Sequence, residues 1–91
     1  MITSRLMVEN LDTMTTEKHL DNLFSTYGDI KKIRMNRNRG LGFVDMTSVS
    51  EAKRVCAKLD GSVLWGRSMK IQIMDDSLQN RFIYLFSRLF K

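Results

Sequence analysis

Proline is absent from this chain, cysteine and histidine each occur once, and no apolar run approaches the roughly 20 residues that cross a bilayer. A single cysteine, Cys56, excludes a disulfide within the chain, and with His19 as the lone histidine no zinc site can be assembled from Cys and His. No metal and no cofactor are expected. Cys56 falls in an apolar helical pattern and reads as a buried structural thiol, which suits a reducing compartment. Met1 to Arg5 lack the charged start and apolar stretch of a secretory signal, so the expected location is cytoplasmic, or nuclear in a eukaryotic cell.

What is present is ordinary for a folded domain: 43% hydrophobic and 27% charged residues, with no low-complexity stretch. The 91 residues hold one domain with one core, which excludes a two-domain enzyme. Fifteen Lys and Arg against ten Asp and Glu leave a formal charge of +5, so the attracted partners are polyanions: nucleic acid, acidic lipid or acidic protein.

Periodicity sets the order of elements. Leu6-Met7-Val8 is a β-prone run, and Thr16 precedes a helical pattern with Leu20, Leu23, Phe24 and Tyr27 on one face, stopped by Gly28. Ile30, Ile33 and Met35 interleave with Lys32 and Arg34, and after the short loop 36–39 a second run from Gly40 to Met46 completes a hairpin. Ser48 or Ser50 caps a helix striped by Ala52, Val55, Cys56 and Leu59. Met69, Ile71 and Ile73 then alternate with Lys70 and Gln72. The expected fold is α+β: a ferredoxin-like βαββαβ sandwich, its four-stranded antiparallel sheet covered by two helices on one face and open on the other.

Arg39-Gly40-Leu41-Gly42-Phe43-Val44-Asp45-Met46 resembles the longer sequence signature of the RNA recognition motif family, and Leu6-Met7-Val8-Glu9-Asn10-Leu11 resembles the shorter one. The resemblance spans residues 4–75, taken as the domain, and implies a non-enzymatic binder of single-stranded RNA. Alternation supplies the chemistry independently. With Val44 and Met46 facing the helices, Arg39, Leu41, Phe43 and Asp45 face outward. Leu6 and Val8 facing in leaves Arg5, Met7 and Glu9 out. The same parity adds Lys32, Arg34, Lys70 and Gln72. The expected nucleic-acid-binding set is therefore Arg5, Met7, Lys32, Arg34, Arg39, Leu41, Phe43, Lys70 and Gln72, with Phe43 as a flat platform for a base and five cations for phosphates. Met7 and Leu41 stand where the family usually carries aromatics. If each missing ring forfeits about 1 kcal/mol, the cost is about tenfold to thirtyfold in affinity. Asp45 and Glu9 have no base, nucleophile or metal beside them, so no catalytic residue is expected. His19 reads as a solvent-exposed helix residue, and Trp65 as packing the edge of the core.

Residues 76–91 form a separate segment. Leu78, Phe82, Leu85, Phe86 and Leu89 recur at helical spacing, and four of the eight aromatics lie between Phe82 and Phe90. With Ile83-Tyr84-Leu85-Phe86 the expected C-terminal helix is apolar nearly all round and needs a resting place. Three are open: its own sheet over Met7, Leu41, Phe43 and Met74, a second copy of the chain, or, as the weakest, a membrane surface. The functional expectation is low-specificity binding of single-stranded RNA, or single-stranded DNA, gated by this helix. The alternative is a protein-interaction module or homodimer that uses the degenerate sheet face and the helix.

Overall fold

The computed structural model describes residues 1–75; the expected C-terminal helix, with Leu78, Phe82, Leu85, Phe86 and Leu89, lies outside the described residues. The described order is β1 (Ile2–Glu9), α1 (Glu17–Ser25), β2 (Ile30–Asn36), a 3-10 turn (Arg37–Arg39), β3 (Leu41–Met46), α2 (Val49–Leu59), β4 (Val63–Leu64), β5 (Arg67–Ser68) and β6 (Lys70–Asp75). Four strands form one antiparallel sheet in the order β2-β3-β1-β6, so the two strands that carry the signature-like segments are central neighbours. This is the expected ferredoxin-like sheet. The β4–β5 ribbon is additional and was not legible from periodicity, because two-residue strands carry no alternation.

Both helices pack on one face. Leu20 and Phe24 of α1 and Ala52, Val55 and Leu59 of α2 join Leu6, Val8, Val44, Met46, Met69 and Ile71 in the main core. Complete burial of such side chains stabilises by about 1.5–3 kcal/mol each. In β2 a bulge between Ile30 and Lys32 lets Ile30, Ile33 and Met35 all pack against this core, although 30 and 33 have opposite strand parity.

The helix ends follow from local chemistry. Thr16 Oγ1 accepts the His19 N–H at 3.2 Å, and His19 Nδ1 accepts the Thr16 N–H at 3.1 Å, a capping box with histidine in the place usually held by Glu or Gln. His19 is therefore a half-buried capping residue, not the freely exposed one that the sequence suggested. Helix α1 stops at Ser25, which leaves Tyr27 in the following turn and 38% exposed instead of on the apolar stripe. At the start of α2, Ser48 is the cap, its Oγ accepting the Glu51 N–H at 3.2 Å.

Cys56 lies on α2 and is only partly buried, its thiol 3.5 Å from the Ile71 carbonyl oxygen. Burial, and secondarily the charge of Asp60, push the thiol's pKa up. The thiolate is the reactive species, so at pH 8 iodoacetamide is expected to label Cys56 several-fold more slowly in the folded protein than in urea. Equal rates would show a solvated thiol.

Candidate nucleic-acid interface

The face turned away from the helices is organised in rows across the sheet. Arg34, Phe43, Met7 and Gln72 are register partners in sequence across β2, β3, β1 and β6. One row toward the β1 N-terminus, Lys32, Asp45 and Arg5 are partners across three strands. On the other side Asn36 pairs with Leu41, and Glu9 with Lys70. The alternation argument thus assembled Arg5, Met7, Lys32, Arg34, Leu41, Phe43, Lys70 and Gln72 on one face.

Arg39 is the exception. It ends the 3-10 turn ahead of β3, and Gly40, at φ +61°, turns the chain through the left-handed region before the strand begins. Strand parity does not extend back across that turn, so alternation does not place Arg39, which is exposed. Gly40 cannot be exchanged cheaply: a Cβ there would lie 2.5 Å from the Leu11 carbonyl oxygen. Leu11 donates its own N–H to the Gly40 carbonyl at 3.0 Å, which stitches the end of β1 to the start of β3.

The face is not a uniformly open platform. Leu41, Phe43 and Met74 are 4%, 3% and 8% exposed and form a second apolar cluster with Met7 packed against it. Phe43 was expected to lie open for a base, and its ring is instead buried. The cations remain outside. Lys32, Arg34, Arg39 and Lys70 are exposed, as is Gln72. Arg5 is held by a carboxylate: Nε donates to Asp45 Oδ1 at 2.5 Å and Nη2 to Oδ2 at 3.0 Å, a bidentate pair that raises the Arg5 pKa further. Its charge is cancelled locally.

The β4–β5 ribbon borders this end of the sheet. Asn10, at φ +66°, donates from Nδ2 to the Ser68 carbonyl at 2.8 Å and accepts from Arg67 Nε and Nη2 at 3.2 and 2.9 Å. Trp65 sits in the ribbon's turn at φ +54°, 52% exposed, its ring 5.4 Å from that of His19 at 58°. It does not pack the core edge as the sequence suggested. A bulky residue in the left-handed region costs about 1–2 kcal/mol. Its ring contact is with His19 of α1.

Among the described residues no group of three or more His, Cys, Asp or Glu could hold a metal ion, and no helix is long and apolar enough to cross a membrane. The model of the RNA recognition motif matches residues 6–70. This chain belongs to the RNA recognition motif family.

The family's two signature segments are therefore those on β1 and β3, where Met7 and Phe43 are direct partners. Among curated relatives, Paraspeckle component 1 of Homo sapiens is 40% identical over 68 residues, which are 75% of this chain and 13% of that protein. The chloroplastic 28 kDa ribonucleoprotein of Spinacia oleracea is 33% identical over 84 residues, 86% of this chain and 36% of that protein. The chain thus spans a minor part of the relatives it matches. Among solved structures, the C. elegans NONO-1 homodimer superposes with a TM-score of 0.74 at 28% identity, covering 79% of this chain and 29% of that one. The two RNA recognition domains of Drosophila melanogaster Sex-lethal give a TM-score of 0.74 at 25% identity, over 86% of this chain and 54% of that one.

Proposed function

We propose that this domain is a binding module, not a catalyst, and that it takes single-stranded RNA on the sheet face with low sequence specificity, gated by residues 76–91. Family membership and the RNA-binding relatives support RNA as the ligand. The observation that carries the site is the juxtaposition of the two signature strands, with Met7 opposite Phe43 and exposed Lys32, Arg34, Arg39 and Lys70 around them. Phe43 takes a base, Met7 and Leu41 press on sugar or base, and the four cations neutralise phosphates.

Gating is supported by the second apolar cluster. A phenylalanine in the centre of a bare sheet face keeps one side of its ring in solvent, whereas Phe43 is 3% exposed. Residues 76–91 follow directly on β6, whose Met74 belongs to the cluster, and their sequence is apolar enough to lie there. Deleting 76–91 is expected to raise affinity for a short single-stranded RNA about fivefold or more, measured by fluorescence anisotropy at low salt, without changing the slope of log affinity against log salt. A lower or unchanged affinity would overturn the gate. The same titration with single-stranded DNA tests the second nucleic acid.

A homodimer is the second reading, favoured by the likeness to a protein solved as a homodimer. Light scattering that shows twice the chain mass, lost on deleting 76–91, would support it in place of the gate. The relatives' names place them in paraspeckles and in chloroplasts. Residence of this chain in the cytoplasm or nucleus remains a proposal.

A further inference from the structure

The Arg5–Asp45 pair divides the sheet face into two unlike halves. Phe43 packs with buried Leu41 and Met74 and partly buried Met7, whereas the Arg5 side chain is 41% exposed and Asp45 19%. Arg5 uses two of its five N–H donors on Asp45, Nε and one on Nη2. The other three, two on Nη1 and one on Nη2, have no partner among the described residues. They lie along the opposite edge of the rigid guanidinium plane, which Asp45 holds at a fixed angle on the central strand β1.

Net positive charge is what draws a phosphate, and here the carboxylate cancels it. Asp45 stands between Arg5 and Lys32 in the same row, so a phosphate drawn to Arg5 would also meet an anion. A neutral two-donor edge in fixed orientation is instead suited to a pair of acceptors on a flat base. Guanine offers that pair in O6 and N7, at the spacing the guanidinium fork matches; adenine places an amino donor beside N7, and the pyrimidines have no N7.

We propose that Arg5, positioned by Asp45, reads a guanine in single-stranded RNA bound on this face. The inference rests on the proposed RNA-binding function and refines it: the strand is bound with little regard to sequence except at one nucleotide. Lys32, Arg34, Arg39 and Lys70 supply the charge, and Arg5 supplies the preference. The Asp45 carboxylate is a positioning group for it.

Anisotropy titrations of the full chain against three uridine hexamers test this: all-U, one with a single central G, and one with a single central A. The G-containing hexamer is expected to bind fivefold to twentyfold tighter than the other two. Arg5→Lys keeps the charge and loses the fork, and should bring all three hexamers within twofold of one another. Asp45→Asn releases the guanidinium and its charge. It should flatten the preference, raise the all-U affinity and steepen its salt dependence. Circular dichroism confirms that each variant folds. Equal binding of the three hexamers by the unmodified chain, or a preference that survives Arg5→Lys, would overturn the guanine reading while leaving RNA binding intact. Loss of affinity for all three hexamers alike in Arg5→Lys would overturn it too. No binding of any hexamer would overturn the RNA-binding function itself, and this inference with it.

Discussion

Phe43→Ala is expected to destabilise the domain by about 2–4 kcal/mol, as removal of a buried ring does. The ring is 3% exposed and packs with Leu41, Met74 and Met7, so its loss leaves a cavity in the second apolar cluster. A ring acting only as an open platform would leave stability unchanged and affect affinity alone. Equilibrium urea denaturation of the full chain separates the two: a midpoint within error of the unmodified protein would show that Phe43 is solvated. Affinity is better read in a chain ending at residue 75, where the proposed gate is absent. There the same substitution should weaken single-stranded RNA binding by about 1–3 kcal/mol, the worth of one base stacked on an aromatic ring. In the full chain the two effects oppose, because losing the ring also weakens the surface that the gate rests on.

Gly40→Ala is expected to cost about 3 kcal/mol or more, although only one methyl group is added and the site is on the rim. Two penalties coincide. At φ +61° any side chain is strained, and the new Cβ would stand 2.5 Å from the carbonyl oxygen of Leu11, a backbone atom held by its own hydrogen-bonded stitch to Gly40. For a domain of this size the melting temperature should fall by ~12–24 °C. Gly42→Ala is the control within the same signature segment. Its φ is not in the left-handed region, and its Cβ would meet the flexible end of Leu20 at 3.2 Å, so a cost of about 1 kcal/mol is expected. If the two variants melt together, the close approach at Gly40 is not present in solution. The comparison also shows that the first glycine of the signature is there for the turn and the second for packing.

The parts of the fold that were legible share a physical origin. Strand alternation has a period of two and helical stripes a period near 3.6, so Leu6, Val8, Val44, Leu20, Phe24, Ala52 and Val55 announce which side faces the core before any contact is known. For the same reason eight of the nine expected binding residues fall on one face. Alternation does not place Arg39, because a left-handed glycine interrupts the strand and parity cannot be carried across it. Ile30 and Ile33 show the converse, two residues three apart that a bulge brings to the same side. The β4–β5 ribbon escaped because strands of two residues contain no period at all.

The sequence by itself determined the order of elements, the inward and outward side of each strand, the family, and the positive charge that makes a polyanion the natural ligand. These are properties of neighbouring residues and of composition. Only the tertiary structure decided that Arg5 is held by Asp45, 40 residues away, that Phe43 is buried, and that Trp65 in the ribbon's turn meets His19 of α1. Those outcomes depend on which strands become partners and in what register. Pairing through space assigns a cation either to solvent or to a carboxylate, and no local pattern in the chain records which.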